Sequence, residues 1–390
     1  MATAHGTLSV VVGAGGTGGH IYPGLAVADA VRRAVPDAVV SFIGTERGLE
    51  TRLIPEAGYR LHTVDMIPFD RSLGSRRFLL PADLLRSGAQ ARRVIEEQGA
   101  HVVVGMGGYP SAPAVLGARL AGRPALVHES NAVPGRANRF ATALTPHVAL
   151  AFDRTRDHLS ARAAARAETV GMPLVGAVAT LDRTALREEA RSSFRVPEDV
   201  RLVLFNGGSL GAARLTEAAL QLALRWRSRP DVHLVIKTGP KALGEVRARL
   251  AAGGCEQVAT AVGYLDRMDL AYAAADLVVC RAGSSTVAEL ASTGMPAVLV
   301  PYPHAPHDHQ THNARVLSDA GAGLLLPDAE TTGERLAELI GPLLSDPRRL
   351  AAMGAAAHPG THAVAADLMA SWALRLAGFA PAPVRVPAGR

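Results

Sequence analysis

The sequence predicts an α/β protein made of two doubly wound parallel sheets. Three observations lead there. A chain of 390 residues is more than one hydrophobic core comfortably organises. Short β-branched runs alternate with Ala/Leu/Arg-rich stretches of helical length. The alternation occurs twice, and each time its first strand runs into a cluster of glycines.

In the first half, residues 8–12, 39–43, 102–104, 125–127 and 148–150 read as buried strands, and 23–35, 82–98 and 112–120 as intervening helices. The second set of strands is expected at 202–205, 233–236, 277–280 and 297–300. Between the sets, Thr169-Val170-Gly171-Met172-Pro173 reads as a hinge. The expected domains are residues 1–170 and 171–360, with a helix at 361–377 returning to the first domain and a disordered Pro/Ala-rich tail at 378–390. Ligands of such sheets bind beyond the carboxyl ends of the strands, so both sets of glycines are expected to open on one interdomain cleft.

Composition narrows the function. The net charge is +6, and Lys237 and Lys241 are the only lysines. Coding bias explains most of that arginine excess; attraction to anions such as nucleotides or phospholipid headgroups is the functional reading. No basic run is interleaved with aromatics, which argues against nucleic acid. Cys255 and Cys280 do not make a disulfide framework. No secretory signal and no run of 18 apolar residues is visible, so a cytoplasmic protein is expected, with membrane contact only at its surface.

The first glycine cluster is Gly13-Ala14-Gly15-Gly16-Thr17-Gly18-Gly19-His20, between a strand and a helix. Bare backbone turns tightly there, and its N–H groups join the positive end of the helix to attract an anion. The same letters contain Gly-x-Gly-x-x-Gly, a weak nicotinamide fingerprint, and a ligand-free tight turn is the plain alternative. The second cluster is Asn206-Gly207-Gly208-Ser209-Leu210-Gly211. The third, Arg281-Ala282-Gly283-Ser284-Ser285-Thr286-Val287-Ala288-Glu289, suits a diphosphate, with Glu289 placed to accept from two ribose hydroxyls; alternatively Thr286-x-x-Glu289 is a capping box. Gly107-Gly108-Tyr109-Pro110-Ser111 and His128-Glu129-Ser130-Asn131 also sit at strand ends. The run His304, His307, His309 and His312 invites a zinc reading, but it has prolines and no cysteine. There is no Asp-x-Asp, so neither a metal site nor a cofactor is expected, and amides and dipoles must carry a leaving group's charge.

Together these motifs resemble the MurG family of glycosyltransferases, over about residues 10–368. The likeness rests on residues 15–24, Gly107-Gly108-Tyr109, His128 to Asn131, Gly207-Gly208-Ser209 and 281–289. It implies a GT-B fold and metal-independent, inverting transfer of N-acetylglucosamine from UDP-N-acetylglucosamine to the 4-hydroxyl of the polyprenyl-diphosphate-linked muramyl-pentapeptide (lipid I), giving lipid II for peptidoglycan. It implies that Ser209 and Ser284, Ser285, Thr286, Val287, Ala288 and Glu289 contact the donor diphosphate and ribose, with Leu265 by the uracil and Gln310 at the sugar. Thr17, Gly18, Gly19 and Asn131 would complete the site from the first domain. A base must take the hydroxyl proton; His20 is the first candidate and Glu129 the reserve. A polyprenyl acceptor implies an anionic membrane surface at the inner face of the bacterial plasma membrane. Residues 67–80, with Arg71, Arg76, Arg77 and Arg86, fit an apolar patch ringed by cations.

The chain departs from the family pattern at Val175, Leu210 and Ala213, where Arg, Gln and Arg are usual; Arg214 and Arg281 are the nearest substitutes. A glycosyltransferase of another lipid or of a specialised metabolite, a UDP-sugar 2-epimerase and a non-catalytic sugar-nucleotide binder are therefore the alternatives.

Overall fold

The computed structural model describes residues 7–67, 80–208, 212–357 and 360–386. The chain divides into two compact units: residues 1–176 with 361–388, and residues 177–360.

The first unit holds seven parallel strands, β1 (Ser9–Gly13), β2 (Val39–Gly44), β3 (Arg60–Thr63), β4 (Val102–Gly105), β5 (Ala125–Glu129), β6 (His147–Leu150) and β7 (Ala167–Thr169), in the order β3-β2-β1-β4-β5-β6-β7. β1 is buried along its whole length, as a central strand covered on both faces must be. One face packs the helices Gly18–Ala34 and Ala365–Leu376; the other packs Leu80–Glu97 and Ser111–Leu120.

The expected returning helix is thus seated beside Gly18–Ala34 through Met369, Ala370, Trp372 and Ala373, with an Arg33–Asp367 ion pair of 2.7 Å at the rim. It ends as its sequence dictates: Gly378 adopts φ +83°, its N–H reaches Arg375 O and the Phe379 N–H reaches Leu374 O, a Schellman closure. Phe379 then lies edge-on to His101, with ring centroids 5.6 Å apart. The expected disorder from residue 378 therefore does not extend to Phe379; residues 387–390 lie outside the described residues.

The second unit repeats the plan with β8 (Arg201–Asn206), β9 (Val232–Lys237), β10 (Ala259–Val262), β11 (Leu277–Cys280), β12 (Ala297–Leu299) and β13 (Gly323–Leu325), all parallel, ordered β10-β9-β8-β11-β12-β13. Both sheets reverse their winding beside their first strand, between β1 and β4 and between β8 and β11. Loops leaving the sheet there diverge and leave a crevice at the carboxyl edge.

The expected hinge glycine has a specific reason within the first unit. Gly171 has φ +86°, and a Cβ on it would lie 2.8 Å from His362 N. Its carbonyl accepts from His128 Nε2–H at 2.9 Å, and the next N–H, of Met172, donates to His362 Nδ1 at 2.8 Å. Burial pushes both imidazoles down to about 4, so both are neutral when folded. The unfolded chain binds protons on these rings near pH 6.5 and the folded protein does not until about pH 4, so their stability contribution is complete above pH 6.5 and is lost as pH falls towards 4. Urea unfolding is expected to show about 2 kcal/mol less stability per histidine at pH 5 than at pH 7.5. Equal midpoints at the two pH values would contradict the buried neutral pair.

Candidate functional site

In the first unit the glycine loop after β1 is held by a carboxylate. Glu50, in the first turn of the helix Glu50–Glu56, is fully buried. Its Oε2 accepts from Gly16 N–H at 2.9 Å; its Oε1 accepts from Thr45 N–H at 3.2 Å and Thr45 Oγ1 at 2.8 Å. Thr45 Oγ1 also lies 2.8 Å from the Tyr109 hydroxyl, which links this loop to the one after β4. Sequence reasoning misses Glu50, because nothing in its spacing ties it to a loop 34 residues earlier.

Thr17 is the exposed N-cap of the helix Gly18–Ala34, which begins without a side-chain cap and without an acidic residue in its first turn. Gly18 and Gly19 form that turn, so the positive helix end is open to an anion. His20 follows, and its Nδ1 lies 3.2 Å from Met106 O. A carbonyl only accepts, so Nδ1 carries a proton, and Nε2 is the ring nitrogen left to exchange one. The ring rests on the Gly107-Gly108 turn. A Cβ at Gly108, where φ is +75°, would stand 2.5 Å from Gly15 O and 3.1 Å from His20 Cδ2.

Glu129 ends β5 and is buried. Its oxygens accept from Asn131 N–H at 2.8 Å, Asn131 Nδ2 at 3.3 Å, Gly135 N–H at 3.1 Å and Asn138 Nδ2 at 2.9 Å. Burial raises its pKa while these four bonds lower it. This is the geometry of a brace for the turn at 130–135, which Asn131 shares, rather than of a carboxylate turned towards a substrate.

In the second unit, Asn206 ends β8 and its Oδ1 accepts from Gly208 N–H at 3.0 Å, fixing the start of the second glycine loop. Ser209, Leu210 and Gly211 lie outside the described residues. The helix Ser284–Thr293 follows β11, with Gly283 as N-cap, no side-chain cap and no acid in its first turn. Ser285 Oγ is buried there without a hydrogen-bond partner. Ser284 is buried and Thr286 half-buried. Val287 and Ala288 turn into the core, and the Val287 N–H already reaches Gly283 O, so their side chains are not site groups.

The capping-box alternative fails. The box needs Thr286 as N-cap, but the helix begins two residues earlier at Ser284. Glu289 instead accepts from the buried Tyr272 hydroxyl at 2.7 Å. Burial pushes the Glu289 carboxyl up to about 6, against the Tyr272 hydrogen bond and the positive charge of Lys237. Gln310 Oε1 accepts from Ala282 N–H at 3.2 Å and Tyr302 N–H at 2.9 Å, which leaves its amide nitrogen as the end for a ligand acceptor. Leu265 is half-buried on the loop after β10, next to exposed Tyr264.

Both substitute arginines are engaged by one carboxylate, Arg281 mostly buried and Arg214 half-exposed. Arg281 pairs with Asp328 at 2.6 Å and bonds Val300 O and Pro301 O, and Arg214 pairs with the same carboxylate at 3.0 Å. The histidine run is not gathered: among the described residues no three His, Cys, Asp or Glu are placed to hold a metal, and His309 bonds Pro306 O at 2.8 Å.

Residues 10–149 match the glycosyltransferase family 28 N-terminal domain, and residues 202–369 the family 28 C-terminal domain. Over 379 residues the chain is 43% identical to the UDP-N-acetylglucosamine–N-acetylmuramyl-(pentapeptide) pyrophosphoryl-undecaprenol N-acetylglucosamine transferase of Mycobacterium bovis, covering 95% of this chain and 90% of that relative. The chain belongs to the MurG family. Acinetobacter baumannii MurG superposes with a TM-score of 0.74 at 28% identity, covering 94% of this chain and 99% of that one, which gives the GT-B fold. A Neisseria meningitidis UDP-GlcNAc 2-epimerase shares that fold, with a TM-score of 0.63 at 12% identity over 95% of this chain and 100% of that one. Val175 and Ala213, two of the positions that depart from the family pattern, are both exposed, and Ala213 opens the helix Ala213–Arg225.

The crowding at Gly108 is testable against a second left-handed glycine. Gly122, at φ +64°, has no atom within 4 Å of an added Cβ. Gly122→Ala is expected to cost about 1 kcal/mol in urea unfolding, and Gly108→Ala at least ~2 kcal/mol more. Equal losses would show that the Gly15–Gly108 contact is not tight.

Proposed function

We propose that the protein transfers N-acetylglucosamine from UDP-N-acetylglucosamine to the 4-hydroxyl of lipid I, with inversion, giving lipid II and UDP. The observation that carries this reading is the 43% identity, over 95% of the chain, to an enzyme named for that transfer.

The second unit is the donor side in this reading. The N-terminus of Ser284–Thr293 takes the diphosphate, with the Ser284, Ser285 and Thr286 hydroxyls and Ser209 of the second glycine cluster. Glu289 accepts from the ribose hydroxyls, Leu265 covers the uracil and the Gln310 amide nitrogen meets the sugar. Amides and the helix dipole stabilise the leaving UDP, with no resident cofactor or metal.

The first unit is the acceptor side. The open helix end at Thr17, Gly18 and Gly19 takes the acceptor diphosphate, and Asn131 lines the turn braced by Glu129. His20 Nε2 is the base. It takes the 4-hydroxyl proton as that oxygen bonds to the anomeric carbon, and the donor C–O bond breaks with its electron pair leaving on UDP. Glu129, the reserve in the sequence reading, is assigned the bracing role. No helix among the described residues is long and apolar enough to cross a membrane. Attachment to the inner face of the plasma membrane falls to the segment 67–80, of which residues 68–79 lie outside the described residues; Arg86 beside it pairs with Asp65 at 3.0 Å.

Purified protein, UDP-N-acetylglucosamine and a short-chain lipid I analogue should release UDP and form the disaccharide. His20→Ala should lower kcat by about 10²–10⁴-fold at nearly unchanged donor KM, and Glu289→Ala should mainly raise donor KM. No UDP release with wild-type protein, or epimer formed without acceptor, would overturn the reading. Wild-type kinetics in both variants would overturn the residue roles alone.

A further inference from the structure

Lys237 is one of two lysines in the chain, and the transfer chemistry above does not use it. It ends β9, directly opposite Asn206 at the end of β8. Its ammonium lies 3.4 Å from Asn206 Oδ1, the same oxygen that holds Gly208 N–H. It also lies 5.3 Å from the centroid of the Tyr264 ring, in the loop after β10, a cation–π geometry. Its charge acts through space on Glu289 in the helix after β11. One cation therefore touches two separate elements at the carboxyl edge of the second sheet and acts through space on a third. Arg281 and Arg214 are both held by Asp328.

Among the described residues the half-buried Lys237 ammonium has an amide oxygen and a ring face as its contacts, a costly arrangement unless an anion balances it. Burial does lower the Lys237 pKa, and Glu289 is the group that raises it. Among the described residues, the titratable groups bearing on Glu289 are Tyr272 from the helix Met268–Ala274, Cys280 from β11 and Lys237 from β9. Tyr272 and Cys280 are buried, with pKa values pushed up, so both are neutral. Lys237 is the cation of this set.

We infer that Lys237 is a positioning residue of the nucleoside diphosphate site, bracing the start of the second glycine loop, Asn206 to Gly208, and supplying positive charge to the Glu289 carboxylate. The inference rests on the donor assignment above. A carboxylate accepts from both hydroxyls of a ribose, whereas its protonated form gives up part of that capacity. Lys237 thereby tunes nucleotide affinity and its pH dependence, and leaves the proton transfer at the acceptor to His20.

The test is calorimetric binding of UDP alone between about pH 5.5 and 8.5, which needs neither acceptor nor turnover. Lys237→Met should weaken UDP about tenfold at pH 7, and should move the acid-side loss of affinity upward by about one pH unit. Lys237→Arg should restore most of both. Lys237→Gln keeps a side chain able to bond Asn206 without the charge; it should show the shifted profile with a wild-type melting temperature, which serves if the methionine variant folds poorly. In steady state, donor KM should rise while kcat stays within about twofold. Wild-type UDP affinity and pH profile in Lys237→Gln would overturn the inference and leave the donor site standing. Failure of the wild-type protein to bind UDP would overturn the donor assignment and this inference with it.

Discussion

Every strand in both sheets runs parallel, and the rest follows from that constraint. Parallel strands leave their sheet by one edge, so all loops that follow them gather there. Winding reverses once per sheet, beside the first strand, and the loops on either side of the reversal part from each other. In the first unit those loops carry Gly15 to His20 and Gly107 to Tyr109; in the second they carry Asn206 to Gly208 and Arg281 to Gly283. The glycines are placed where backbone must come close to backbone or to an anion, and the helices that follow present uncapped positive ends.

Much of this is legible in the sequence. Central strands such as β1, β4 and β11 are mostly continuous apolar runs because both of their faces are covered, so their pattern names them. β3 escapes that pattern, because Arg60-Leu-His-Thr63 lies at a sheet edge and keeps polar, part-exposed side chains. β13 escapes it for its length, three residues opening on Gly323. For the helix Gly18–Ala34 the sequence suggests a start at Pro23, since proline marks a first turn; the helix instead begins five residues earlier, on glycines whose helical propensity is poor.

The site is less legible for a definite reason. Glu50, Glu129 and Glu289 are the same residue type with three different roles, set by their partners. Glu50 holds Gly16 and Thr45, Glu129 collects four donors from its own turn and the helix after it, and Glu289 has a buried tyrosine and a distant lysine. Only the Glu129 contacts are local enough to be guessed from neighbouring asparagines. The capping-box reading of Thr286 and Glu289 fails because the i, i+3 pattern also recurs inside a helix, where it caps nothing. The ion pair that holds Arg281 is equally hidden, because its partner Asp328 lies 47 residues on.

The central claim is that backbone amides at the start of Ser284–Thr293, with the unpartnered Ser285 hydroxyl, hold the leaving diphosphate. Hydrogen–deuterium exchange with and without nucleotide tests it most directly. UDP is expected to slow exchange at Ser284, Ser285 and Thr286, whereas uridine, which lacks the phosphates, leaves them unchanged. Equal protection by uridine and UDP, or protection confined to Gly15 to His20 in the first unit, would contradict the claim.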